Sequence, residues 1–340
     1  MSIWFCRWRA AVYPTREVGM GCAGSKDATD FEASTQKHAL ELPIQDSSPV
    51  DVLMGKKSAS LKHEDYCDVL NASIGSERVH LCLLADGHGG REASLLCFQR
   101  ALPLMVEKVQ SGSRAALTTA AEAVFKQMHE EVKAMPNCTA GCTLTICAIN
   151  ATRREAHVWN VGDSLALIAH SEGYHSLGES HRLQDSMIER ERVVASGAKL
   201  GHAMDCEGAA FGSLRAYPGG LAVTRAIGDV DCPFVSADPA YTQVQWPEDG
   251  GALLVCSDGV WDAVSTAEVS RILLDGHYAS AEGAATKVVK AAIKAGIKDD
   301  TTAICMLFGP AGKESFDAPT PPAPAVLTDV PVAATQQGRR

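Results

Sequence analysis

The residues of this chain best suited to chemistry are acidic and sit at the ends of apolar runs. They are Glu64 and Asp65, Asp86 ahead of Gly-His-Gly-Gly, Asp163 behind Val-Gly, Asp258 ahead of Gly, Asp262, and the pair Asp299-Asp300. The end of a strand is where a buried scaffold meets solvent, so a carboxylate fixed there faces a cleft without full burial. Several such oxygens converging suit hard cations such as Mg²⁺ or Mn²⁺. Any single Asp-Gly reads equally well as a turn cap. The recurrence, with His88 two residues beyond Asp86, is what points to a site.

Composition narrows the field. Hydrophobic residues make up 46% of the 340, enough for a full core, and charged residues 21%, a globular value. The formal net charge is −10 with no long basic run, which argues against nucleic acid as the main partner. The 12 cysteines are scattered singly with no C-x-x-C pair. Cys82, Cys97, Cys147, Cys256 and Cys305 fall in apolar runs and read as buried free thiols of a reducing compartment. No apolar run approaches the ~18 residues of a membrane helix.

The elements that must position the acids follow from periodicity. Residues 79–85 read as a buried strand ending at Asp86, and 252–256 as another ending at Ser257-Asp258-Gly259. Residues 142–149, 155–161 and 164–169 are short strands, the last two joined by Gly162-Asp163 as a tight turn. Helical spacing covers 91–109, interrupted by Pro103, as well as 113–134, 184–196 with Gly197 as its stop, and about 280–295. Ser265 and Glu268 form a capping box for a helix at 266–275, and 301–308 is the last strand. Strands joined by short links and interrupted by helical pairs predict α+β layers rather than regular βαβ winding.

Taken together, the motifs resemble those of the protein phosphatase 2C family, the metal-dependent PPM group. E-D at 64–65, LLADGHGG at 83–90, GCTLT at 141–145, WNVGDS at 159–164, LAVTRAIGD at 221–229, LLVCSDGVWD at 253–262 and KDDTTAI at 298–304 match in the family's order. The resemblance covers residues 51–309. It implies two stacked antiparallel β-sheets flanked by helices, and hydrolysis of phosphoserine and phosphothreonine in proteins. It also implies two divalent cations, Mg²⁺ or Mn²⁺, bridged by Asp86. Gly87, through its carbonyl, and Glu64 would hold one ion, and Asp258 and Asp299 the other. Asp163 and Asp262 match positions that in some relatives hold a third, weaker ion, and Asp65 would hydrogen-bond metal-bound water. Two metals roughly 3.5–4 Å apart activate a shared water for in-line attack on phosphorus. His88 is the natural general acid for the departing oxygen. Arg225 and Asp229 read as structural. The family often grips phosphate with an Arg four residues before the Glu of the E-D pair; here Ser60 stands there, leaving Lys56, Lys57 or Lys62 as substitutes without the Arg fork. Asp300 stands where the family usually has Asn. The alternatives are a pseudophosphatase that holds phosphoproteins without turnover, and a membrane-tethered adaptor.

The flanks differ in character. Residues 1–50 read as a flexible segment, and 310–340 as a Pro- and Ala-rich disordered tail. Met20 begins M-G-C-A-G-S-K, so a chain started there would carry Gly21 for myristoylation and Cys22 for palmitoylation. The early arginines Arg7, Arg9 and Arg16 offer mitochondrial import as a rival. The expectation is a cytoplasmic monomer, with acylation as the route to peripheral attachment on the cytoplasmic membrane face.

Overall fold

The computed structural model describes residues 52–275 and 280–309. The amino-terminal segment, with Gly21 and Cys22, and the tail from 310 lie outside them. Two five-stranded antiparallel sheets make up the body. The first runs β1 (Val52–Ala59), β15 (Thr301–Phe308), β14 (Gly251–Cys256), β8 (Leu165–His170), β9 (Gly173–Leu177). The second runs β13 (Ala240–Gln245), β7 (Glu155–Val161), β6 (Leu144–Asn150), β3 (Glu77–Ala85), β2 (Tyr66–Ile74).

The sheets pack face to face, and helices cover both outer faces, so central strands are buried twice. In β3, Cys82 and Leu84 meet Val255 and Ile304 of the facing sheet, while Leu81 and Leu83 pack under the helices. That is why 79–85 is continuously apolar rather than alternating. Helices α1 (Glu92–Lys108) and α2 (Arg114–Lys133) cover the second sheet, burying Met105, Phe125 and Met128 on it. Helices α5 (Thr266–Asp275) and α6 (Ala281–Ala295) cover the first with Val269, Val288 and Val289. The expected sandwich of two antiparallel sheets between helices is therefore the observed fold.

Four local expectations change. Pro103 does not interrupt α1; it sits inside a helix that buries Ala101, Leu102, Leu104 and Met105, and this burial outweighs the lost hydrogen bond. Gly162-Asp163 is not a hairpin turn, because β7 and β8 belong to different sheets. Gly162, at φ +102°, instead swings the chain from one sheet to the other. The strand at 142–149 breaks at Thr143, whose N–H donates to the Asp86 carbonyl at 2.8 Å. This break sends β5 (Gly141–Cys142) into a small sheet between β4 (Gly87–His88) and β12 (Ile227–Gly228). The helix at 184–196 shortens to α3 (Met187–Ala195), capped by Ser186. The segment after it forms an exposed hairpin, β10 (Lys199–Met204) with β11 (Ala210–Tyr217).

Candidate active site

The acidic residues come from separate chain segments to one end of the sandwich. Asp86 follows β3; Asp163 follows β7; Asp258 opens the short helix α4 (Asp258–Trp261) after β14, with Asp262 closing it; Asp299 precedes β15. Burial raises the Asp86 carboxyl well above its ordinary value, and the charges of Asp65, Asp258, Asp163 and Asp299 push it further up. Asp258 rises to about 7, from burial first and then from Asp163, Asp262 and Asp299, against the opposing charge of Arg182. Mutual repulsion of this kind marks a carboxylate set whose negative charge exceeds the positive charge beside it.

Asp65 rises to about 6, mainly through burial. Both of its carboxylate oxygens are buried without a hydrogen bond of good geometry, although the Thr302 and Ser257 hydroxyls lie close by. Buried acceptors of this kind, beside a hard-oxygen donor set, fit a divalent cation and its water.

The loop carrying Glu64 and Asp65 is held from across the sheet. Asp300 accepts the backbone N–H groups of Leu61 at 2.5 Å, Lys62 at 2.7 Å, Glu64 at 2.7 Å and Asp65 at 3.2 Å. Burial would raise Asp300, but those donors win and lower it. Glu64 also accepts the Gly90 N–H at 3.0 Å, tying the loop to the Gly-His-Gly-Gly turn.

Two basic side chains occupy carboxylates in this cluster. Lys62 Nζ donates to Asp299 at 2.6 Å from a half-exposed position. Arg182 reaches three acids, Asp163, Asp258 and Asp262, at 2.6–2.8 Å. Among the described residues, no three His, Cys, Asp or Glu side chains stand ready to hold an ion as they are now placed. The two cationic contacts supply a reason, since they take oxygens of Asp163, Asp258, Asp262 and Asp299. Of the other candidate phosphate holders, Lys56 turns away to Asp68 at 2.8 Å and to the Cys67 carbonyl. Ser60 and Lys57 are exposed.

His88 has a partner that the sequence motifs did not indicate. Its Nε2 lies 2.8 Å from Asp229, which is buried and was read as structural. The small sheet explains the contact. His88 pairs with Gly141, and Gly141 pairs with Gly228, which places Asp229 next to the histidine. A Cβ at position 141 would run into the Asp229 carboxylate, so only glycine admits it. Arg225, also read as structural, pairs at 2.7 Å with buried Glu189. Burial would lower the His88 pKa, but the hydrogen bond and charge of Asp229, then Asp163 and Glu64, raise it instead.

Sequence reasoning missed the contact of Asp229 with His88 and those of Arg182 with three acids. Asp229 had a signal, since Ile-Gly-Asp at 227–229 repeats the Val-Gly-Asp of 161–163. Arg182 had none, because its partners lie in two distant parts of the chain, after β7 and at the two ends of α4.

The model of the family described as protein phosphatase 2C matches residues 53–301. The chain belongs to the protein phosphatase 2C family. Probable protein phosphatase 2C 5 of Arabidopsis thaliana is 36% identical over 244 residues, 69% of this chain and 55% of that protein. Probable protein phosphatase 2C 15 of the same plant is 35% identical over 280 residues, 78% of this chain and 61% of that protein. The chain thus spans about 55–61% of the length of these two relatives. Among solved structures, a C. elegans sex determining protein is similar with TM-score 0.66 at 22% identity, covering 83% of this chain and 71% of that one. A serine-threonine phosphatase 2C from Toxoplasma gondii is similar with TM-score 0.61 at 17% identity, covering 77% and 97%. These likenesses concern the fold. Protein phosphatase 2C enzymes depend on Mg²⁺ or Mn²⁺, which agrees with the oxygen-only donor set found here.

Proposed function

We propose that the chain hydrolyses phosphoserine and phosphothreonine in proteins, using two divalent cations, Mg²⁺ or Mn²⁺. One observation carries this reading: burial and then the charges of Asp65, Asp258, Asp163 and Asp299 raise the carboxyl of Asp86, and the histidine two residues beyond Asp86 is held by its own carboxylate. Asp86, the Gly87 carbonyl and Glu64 would hold one ion, and Asp86, Asp258 and Asp299 the other. Asp163 and Asp262 would contribute with Asp258 to a weaker third position, and Asp65 would orient water. When bound, the cations supply Lewis acidity that makes water a nucleophile near neutral pH and offsets charge on the phosphoryl oxygens.

The rest of the chemistry belongs to the side chains. Asp229 accepts the Nε2–H of His88, fixing the ring and leaving the Nδ1 proton for transfer to the departing seryl or threonyl oxygen. Lys62, half-exposed beside Asp299, would meet a substrate phosphate where the family's arginine is absent. Partial burial opposes its charge, but Asp299, Glu64 and Asp86 outweigh this and raise its pKa, so it enters the encounter protonated. Ser60 in place of the arginine favours a second reading, a module that holds phosphoproteins with little turnover. Phosphate release from a phosphothreonine peptide, with Mn²⁺ and with EDTA, tests both. Mn²⁺-dependent release supports hydrolysis. Binding of the peptide without release supports the second reading.

A further inference from the structure

Arg182 pairs with three carboxylates at once. Its three guanidinium nitrogens each take a different carboxylate: Nε on Asp163 at 2.8 Å, Nη2 on Asp258 at 2.6 Å and Nη1 on Asp262 at 2.7 Å. The side chain is only 17% exposed. Its main chain is fixed as well. Residue 182 bridges to Val223, and its carbonyl accepts the N–H groups of Asp185 and Ser186, both at 3.0 Å. The neighbouring His181 ring accepts the Gly162 N–H at 3.0 Å and so pins the turn that carries Asp163. This arginine is therefore delivered into the acid cluster by the fold, unlike a long side chain lying on a surface.

We propose that Arg182 is a built-in counter-ion for Asp163, Asp258 and Asp262, and that a divalent cation takes this trio only by displacing the guanidinium. The inference rests on the two-metal reading above and adds what governs the weaker, third position. A guanidinium never deprotonates in a protein, so it competes at every working pH. One positive charge shared among three carboxylates leaves net negative charge, so the trio still attracts a cation. The same oxygens cannot serve both, and the two positive charges repel at contact distance. Arg182 thus keeps the cleft ordered without metal and sets how readily the weakest ion enters.

The test uses the full chain as wild type, Arg182→Gln and Arg182→Lys. Bound Mn²⁺ is counted by titration with electron paramagnetic resonance of the free ion, and thermal unfolding is followed in EDTA and in excess Mn²⁺. Arg182→Gln is expected to bind its weakest Mn²⁺ about tenfold tighter or more, an ordinary size for coupling between two ligands. It should unfold at a lower temperature than wild type in EDTA, with the gap closing in Mn²⁺. Arg182→Lys, which keeps a charge but loses the three-way fork, should lie between. An unchanged or weaker last site, with a stability gap that Mn²⁺ does not narrow, overturns the proposal and leaves Arg182 as packing. If Arg182→Gln fails to fold without metal, the Arg182→Lys titration decides, and an unchanged last site there overturns it equally. Turnover of a phosphothreonine peptide by the same wild-type sample is recorded separately. Absent turnover with intact Mn²⁺ binding counts against the phosphatase reading and not against this one. If neither wild type nor Arg182→Gln binds Mn²⁺, both fall.

Discussion

His88 Nε2 and Asp229 Oδ2 stand 2.8 Å apart although 141 positions separate them in the chain. The contact makes His88 a more basic and better oriented ring than burial alone would allow. A general acid must be protonated to act, so a raised pKa extends activity toward alkaline pH. Asp229→Asn removes the charge that raises it, and the alkaline limb of kcat should move down by about 1–2 pH units. His88→Gln should slow phosphomonoesters with poor leaving groups by ~10²–10⁴-fold and good ones far less. Equal losses across a leaving-group series, or an unmoved alkaline limb in Asp229→Asn, would contradict these roles.

Asp86 lies among four carboxylates that oppose its ionisation. Asp86→Asn removes one of the clustered charges, so without metal the variant should melt at a higher temperature than wild type. The same change deletes the proposed bridging ligand. The rise in melting temperature on adding Mn²⁺ should shrink sharply, and turnover should fall on the order of 10²-fold or more. Scanning calorimetry in EDTA and in Mn²⁺ checks the pair of effects. A variant that keeps the full Mn²⁺ response excludes Asp86 as a shared ligand.

Asp300 holds four backbone N–H groups with two carboxylate oxygens. An asparagine there, the family's usual residue, has one acceptor oxygen and would turn an NH₂ toward N–H donors. In this chain Asp300→Asn should cost on the order of 2 kcal/mol, within the range for charge-assisted bonds. Mn²⁺ affinity should weaken as the Glu64 loop loosens. Chemical denaturation and an Mn²⁺ titration would show it; wild-type values in both would mean the loop is held by something else.

Lys62 reaches the cleft from a half-exposed position. With Mn²⁺ saturating, Lys62→Met should raise KM for a phosphopeptide by roughly tenfold, about the worth of one hydrogen bond to a charged group. The kcat should change less. A KM equal to wild type would remove Lys62 from phosphate recognition.

Acid stability should reveal two buried groups behind the site. Glu189, paired with Arg225 and Arg192 and hydrogen-bonded by Thr224, is lowered to about 2 although burial opposes this. It favours the folded state above the ordinary carboxyl pKa, and that contribution is lost as pH falls from 4.5 toward 2. His181 is held neutral, at about 4, chiefly by burial. Below pH 6.5 the unfolded chain therefore takes up a proton that the folded chain refuses, and stability declines until about pH 4. Asp65 and Asp258, raised in the fold, push the other way, so each variant must be compared with wild type at the same pH. Glu189→Gln should be less stable than wild type at pH 7, with the deficit shrinking below pH 4.5. His181→Asn, which keeps an acceptor for the Gly162 N–H, should gain on wild type as pH falls from 6.5 to 4. Urea unfolding in EDTA across that range would show either gap; pH-independent gaps would refute the assignment.

The clustered acids were legible in the sequence because they end apolar runs. A strand buried on both faces, such as 79–85 or 251–256, must emerge into solvent somewhere, and Asp86 and Asp258 mark those points. The α+β class and most element positions follow from the same periodicity. What the sequence could not decide was which emerging ends meet. Local pattern read 155–161 and 164–169 as a hairpin, whereas each strand pairs with partners in a different sheet. It gave Pro103 the power to break a helix, but burial of the residues around it outweighs one lost hydrogen bond. Asp229 on His88, Asp300 under the Glu64 loop and Arg182 across three acids are long-range contacts between charged groups. Side-chain type and spacing fix the chemistry each residue can do. Only the stacking of two sheets brings separate strand ends within hydrogen-bonding distance, where burial makes each charge depend on its neighbours.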